Sequence, residues 1–277
     1  MRKLIGFAGL LTLAGCAHSS VVPGEVPSPK ARYIAMGSSY AAGPKLGAPK
    51  PETPVRCGRD FRNYATITAQ QLNLELIDVT CGGATTVHLL GPWNELPAQL
   101  DAVTPDARLV TVTIGGNDVD FVRDVYFASC DPAKIEGACP PVAKPSERAW
   151  TALERNLREI AARIRSQAPK ARLIFVDYVT IVPERPCAAM PLSAENIALM
   201  RGVSARLADV TATVARESHA DLIPAGALSR SHTPCDAEPW SMGVPGTGDG
   251  APLHPNEAGM RAIADALTVK LRRWHPQ

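Results

Sequence analysis

The sequence predicts one α/β domain, a parallel sheet covered by helices on both faces. Three observations carry this reading. Five short apolar stretches, near residues 33–36, 74–79, 108–114, 173–176 and 221–224, have strand length. Helical patterns separate them, as β-α-β units require. The first and fourth stretches are continuous apolar runs, as expected of strands buried on both faces. A chain of 277 residues has room for one large domain or two small ones, and a single uninterrupted alternation favours one.

The N-terminus reads as a targeting segment. Arg2 and Lys3 precede an apolar run from Leu4 to Ala14, which is too short for an ordinary membrane span. It ends in Leu13-Ala14-Gly15-Cys16, which resembles the bacterial lipoprotein lipobox. The resemblance implies removal of residues 1–15 and lipid attachment at Cys16, a membrane tether without a spanning helix. The plain alternative is an ordinary signal peptide with Cys16 incidental. Residues 16–30, with prolines and serines and little apolar content, read as a flexible tether. The folded domain is then 31–277, on the extracytoplasmic side of a bacterial membrane.

The first strand, Tyr33 to Met36, ends at Gly37, where the absence of a Cβ lets the chain turn. Ser38, Ser39 and small residues follow, opening a helix. A hydroxyl there lies beside unpaired backbone N–H groups and the positive end of a helix dipole. By itself this is also what a turn with an N-cap serine looks like. A proline-rich loop from Gly43 to Pro54 leads to Cys57 and a helix over 60–72. The second strand runs into Cys81-Gly82-Gly83-Ala84-Thr85-Thr86. The third ends in Gly115-Gly116-Asn117-Asp118, with a short helix over 119–128. Asp118 reads as the N-cap of that helix.

Ser146 is placed to cap a long helix whose apolar stripe is Trp150, Leu153, Leu157, Ile160 and Ile164, spaced 3-4-3-4. A further helix over 194–217 and the fifth strand follow. The segment 235–250 is irregular. The last helix is expected to begin at Pro255, a residue favoured at the first helical position, and to bury Met260, Ile263, Leu267, Leu271 and Trp274.

Removing Cys16 from the seven cysteines leaves six. Fifteen pairings are open to them; joining sequence neighbours gives Cys57–Cys81, Cys130–Cys139 and Cys187–Cys235, the pairing expected here. Loop closure would then contribute about 3, 2.5 and 4 kcal/mol as upper values, and an oxidising compartment is implied. A net charge of +2 gives no reason to invoke nucleic acid. No Cys-x-x-Cys pair is present, His232-Thr-Pro-Cys235-Asp236 is better explained by a disulfide than by a metal, and 243–250 lacks the Gly-Lys-Ser/Thr ending of a phosphate loop. No cofactor is expected.

Four stretches fall at carboxyl ends of strands or in the loop entering the last helix, where open α/β sheets bind ligands: Gly37-Ser38-Ser39-Tyr40, Gly82-Gly83-Ala84-Thr85, Gly115-Gly116-Asn117-Asp118 and Leu253-His254-Pro255-Asn256. In order and spacing they resemble the sequence blocks of the SGNH, or GDSL-like, hydrolase superfamily, closest to its secreted actinobacterial esterase and lipase branch. The resemblance implies a three-layer α/β/α sandwich with a five-stranded parallel sheet in the order 2-1-3-4-5. It also implies Ser39 as nucleophile and His254 as base. The backbone N–H groups of Ser39 and Gly83 and the Asn117 amide are the implied oxyanion donors. Ser38 stands where the motif has Asp. His88 and His232 are weaker candidates for the base.

One departure matters. The family usually has an Asp three residues before the histidine, and here that position is Ala251. Either the Ala251 carbonyl accepts the histidine N–H, leaving a Ser-His dyad, or Asp249 reaches in. The implied activity is hydrolysis of carboxylic esters, short-chain acyl or O-acetyl, by a monomer that meets a membrane only through its lipid. Hydrolysis of longer-chain lipids is the alternative within enzymes. A non-catalytic envelope lipoprotein that binds glycans is the alternative outside them.

Overall fold

The computed structural model describes residues 28–51, 53–131, 138–244, 246 and 248–272. The leader, Cys16, the tether up to residue 27 and Trp274 lie outside the described residues. The chain is already held at Lys30, whose N–H donates to Asn73 O at 2.6 Å.

Five strands form one parallel sheet in the order β2-β1-β3-β4-β5: β1 Arg32–Gly37, β2 Glu75–Asp78, β3 Ala107–Thr113, β4 Arg172–Val176 and β5 Asp221–Ile223. The central three strands are almost wholly buried, which is why the first and fourth stretches read as apolar runs. The helices are α1 Ser39–Ala42, α2 Tyr64–Leu72, α3 Thr86–Leu90, α4 Phe121–Ala128, α5 Glu147–Gln167, α6 Ala194–Glu217, α7 Ala225–Leu228 and α8 Glu257–Arg272. Helix α2 packs on α8, while α3, α5, α6 and α4 pack in series. These layers sandwich the sheet.

The five residues of the α5 stripe are all buried, and Ser146 Oγ accepts from Ala149 N at 3.2 Å. Burying such side chains contributes about 1.5–3 kcal/mol each. Met260, Ile263, Leu267 and Leu271 are likewise buried. The start of α8 differs from expectation. Pro255 lies in an antiparallel bridge with Ser241, and the helix begins at Glu257. Asn256 serves that end instead, its Oδ1 accepting from Gly259 N at 2.9 Å.

The three disulfides join Cys57 to Cys81, Cys130 to Cys139 and Cys187 to Cys235. The first fastens the loop after α1 to the Gly82-Gly83 turn, where Gly82 N also donates to Cys57 O at 2.9 Å.

Candidate active site

Strand register brings three turns together at the carboxyl edge of the sheet. Gly37 pairs with Thr113, and the next N–H, of Ser38, donates to Thr113 O at 2.9 Å. On the other side Cys81 N donates to Gly37 O at 3.0 Å. A Cβ on Gly37 would lie 2.3 Å from Thr113 O, so glycine alone fits where the first strand turns toward Ser39. Gln99 clasps this turn, its side-chain amide accepting from Gly37 N at 2.7 Å and donating to Gly37 O at 3.0 Å. No sequence pattern marks Gln99 for that task.

Ser39 is the first residue of α1, half-buried, so its N–H is one of the helix's orphan donors. Its hydroxyl donates to His254 Nε2 at 2.8 Å. The other ring nitrogen, Nδ1, donates to Pro252 O at 2.7 Å. A carbonyl can only accept, which puts the proton of the neutral ring on Nδ1 and leaves the Nε2 lone pair facing Ser39. Burial pushes the His254 pKa below its ordinary 6.5, the Lys45 charge lowers it further, and the Pro252 bond opposes both. A neutral imidazole nitrogen accepting from a hydroxyl is the arrangement that general-base activation requires.

Neither expected partner of the imidazole is the one found. The Ala251 carbonyl is occupied by the backbone N–H of His254 itself, at 3.1 Å. That bond closes a β-turn with Pro252 at its second position and Leu253, φ 62, at its third. Such turns favour proline at the second position and demand a positive φ at the third. The Pro252 carbonyl is left outside the turn's own bond, free to accept from the ring. Asp249 is exposed and turned away, its Oδ2 accepting from Glu257 N at 3.1 Å at the start of α8. Asp249→Asn keeps an acceptor there, so kcat is expected to stay within about fivefold of wild type. A hundredfold loss in steady-state turnover would put the carboxylate back beside the imidazole.

Gly83 has φ 80 and is exposed. Among the described residues its N–H donates to no protein acceptor. A Cβ there would stand 3.4 Å from Trp93, so space is not what excludes a side chain; the left-handed backbone is. Asn117 Nδ2 donates to Ala84 O at 2.8 Å, which ties the second and third blocks together and leaves the amide a second N–H.

Asp118 reinforces the same tie. It does not cap its own helix: α4 is preceded by Asp120. The Asp118 carboxylate instead accepts from Thr86 N, at 3.1 and 3.0 Å, and from the Thr86 hydroxyl, capping α3 across 32 residues. Asn156 Nδ2 donates to Thr86 Oγ1 at 2.9 Å. Burial pushes the Asp118 carboxyl up, and the Thr86 bonds pull it down.

Ser38 is buried with its hydroxyl 3.3 Å from Tyr178 OH, and that phenol accepts from Gly116 N at 2.8 Å. The two remaining histidine candidates have other engagements. His88 Nδ1 accepts from Thr85 N at 3.0 Å and its ring stacks on Trp93. His232 Nδ1 donates to Glu238 O at 2.8 Å and its ring stacks on Trp240. Cys235 is bonded to Cys187.

A doubly wound sheet of order 2-1-3-4-5 with a serine hydroxyl and an imidazole paired at its carboxyl edge defines an α/β/α hydrolase. The chain belongs to the GDSL-like lipase/acylhydrolase family, whose model matches residues 35–262, and it is a carboxylic-ester hydrolase. It is 30% identical to "Lipase 2" of Streptomyces coelicolor, over 96% of this chain and 94% of the relative. It is 26% identical to an "Esterase" of Streptomyces scabiei, over 97% and 94%. Among solved structures, phospholipase A1 from Streptomyces albidoflavus superposes with a TM-score of 0.71 at 23% identity, covering 87% of this chain and 99% of that one. The extracellular lipase from Streptomyces rimosus does so with 0.65 at 21% identity, covering 86% and 98%. At these identities the superpositions speak for the fold.

Proposed function

We propose that this protein hydrolyses carboxylic esters of short acyl or O-acetyl type through a Ser39 acyl-enzyme, with His254 as base in a Ser-His dyad. The observation that carries the reading is the 2.8 Å contact between Ser39 Oγ and His254 Nε2, made across 215 residues of sequence. Ser39 attacks the ester carbonyl while its proton passes to Nε2. The N–H groups of Ser39 and Gly83 and the Asn117 amide receive the oxyanion, each such donor typically worth about 2.7–4 kcal/mol of barrier. The alcohol leaves with the proton from Nε2, and water, deprotonated by the same nitrogen, releases the acid. The Pro252 carbonyl holds the tautomer throughout, and a neutral carbonyl stabilises the developing imidazolium less than a carboxylate would.

A second reading, lipid esters of longer chain, is favoured by the names of the Streptomyces relatives and by exposed Val87 and Tyr126 on the helices that follow β2 and β3. A series of p-nitrophenyl esters from acetate to palmitate, with and without micelles, separates the two. Rates falling with chain length support the first; rates rising with chain length and at micelle surfaces support the second. Absence of Ser39-dependent turnover from a folded, oxidised sample would support the glycan-binding reading and sink both.

Activity is expected to need His254 neutral. Its pKa is depressed, so kcat/KM should rise with pH through an acid limb whose midpoint lies below 6.5. Replacing Lys45 by Glu removes a positive charge that disfavours the imidazolium, and the midpoint should move up. A pH profile with its midpoint at or above 6.5 contradicts the assignment.

The three disulfides support folding in an oxidising compartment, and export of the chain is part of the proposal. Lipid attachment at Cys16 rests on the Leu-Ala-Gly-Cys sequence alone.

A further inference from the structure

We propose that Tyr40 is a positioning residue for the base: its phenol clamps the Leu253 carbonyl and so fixes the turn that aims His254 at Ser39. The inference rests on the reading of His254 as base and adds what holds it in place.

The geometry is a two-point attachment between two dipeptides. Ser39 Oγ meets His254 Nε2, and the adjacent Tyr40 OH donates to the adjacent Leu253 O at 2.5 Å. Nucleophile and clamp sit side by side on α1, so the spacing from hydroxyl to imidazole is set within two residues on each side rather than through the whole fold. The Tyr40 ring also lies 5.0 Å from the imidazole, tilted by 43°, and 4.5 Å from the Tyr178 ring. It is 2% exposed. Burial raises its pKa well above the ordinary 10, so it remains a donor at any pH at which the protein works.

Leu253 shows why a clamp is needed. It holds φ 62, a left-handed conformation disfavoured for leucine, yet its side chain is 1% exposed in the core. Glycine would take this backbone freely and leave a hole. Leucine fills the hole and needs outside help to keep the backbone. The help comes from Tyr40 OH on Leu253 O, from Leu253 N donating to Met242 O at 3.2 Å, and from Met242 N donating to His254 O at 2.9 Å. Of these only the Tyr40 contact comes from the element that carries Ser39. Should Leu253 relax, the Pro252 carbonyl and the imidazole lose their alignment together.

Tyr40→Phe deletes one oxygen and keeps the buried ring. It is expected to lower kcat by about 10- to 100-fold, the cost of a small misplacement of a reacting group, with KM within about twofold. Labelling of Ser39 by a fluorophosphonate should slow by the same factor. The His254 Nδ1–H proton resonance, assigned by its loss in His254→Ala, should move upfield or exchange away, while circular dichroism stays that of wild type. In a Leu253→Gly background, where the backbone needs no clamp, the same substitution should cost less. Turnover within twofold of wild type would overturn the clamp. So would a slowed enzyme with an unmoved Nδ1–H resonance, or equal losses in the two backgrounds. If wild type itself lacks Ser39-dependent turnover, the esterase reading fails, and the resonance comparison still decides the clamp.

Discussion

Ser39→Ala is expected to lower turnover of p-nitrophenyl acetate by about 10⁴- to 10⁶-fold, as loss of a serine nucleophile does elsewhere. The fold should not change. Ser39 is half-buried, its hydroxyl's partner is His254, and alanine is a better helix former than serine at the first position of a short helix. The melting temperature is therefore expected to stay within a few degrees of wild type, with all three disulfides formed. The proposed oxyanion donors are untouched by the substitution, so some hydrolysis above the buffer rate is expected to persist. A variant that keeps a tenth of wild-type turnover would show that the hydroxyl is not the attacking group, however short its contact with the imidazole.

His254→Ala should lower turnover almost as far. Removing the base leaves a serine hydroxyl with its ordinary, very high pKa and with no acceptor at Nε2. The two residues act as one unit, so the double variant Ser39→Ala/His254→Ala should be no slower than either single one. Multiplying losses would instead indicate independent contributions, as from His254 acting only as a substrate contact. Fluorophosphonate labelling checks this apart from turnover, since an intact Ser39 without its base should label far more slowly than wild type.

These expectations descend from residues that were legible before any fold was known. Blocks of small and polar residues at strand ends marked out the four stretches, and it was their resemblance to the SGNH hydrolase blocks that implied the roles of Ser39, Gly83, Asn117 and His254 within them. Asp118 was legible as a capping residue, but its target was not. Capping is readable when cap and helix are neighbours, and Asp118 caps a helix 32 residues earlier. Gln99 and Tyr178 left no mark in the sequence and Tyr40 showed only as a member of its block, since a buried amide or phenol looks like any core residue until its partner is known.

The sequence by itself determined the alternation of strands and helices, the burial of the α5 stripe, and the residue types available at the sheet's carboxyl edge. These follow from periodicity and local backbone constraint, which depend on residues a few positions apart. Tertiary structure alone decided which oxygen accepts the hydrogen bond from the histidine Nδ1–H. The Ala251, Pro252 and Asp249 oxygens all lie within five residues of His254. The outcome in favour of Pro252 depends on the sign of one dihedral angle at Leu253. That angle is held by a phenol 213 residues away, and no local pattern can carry such a constraint.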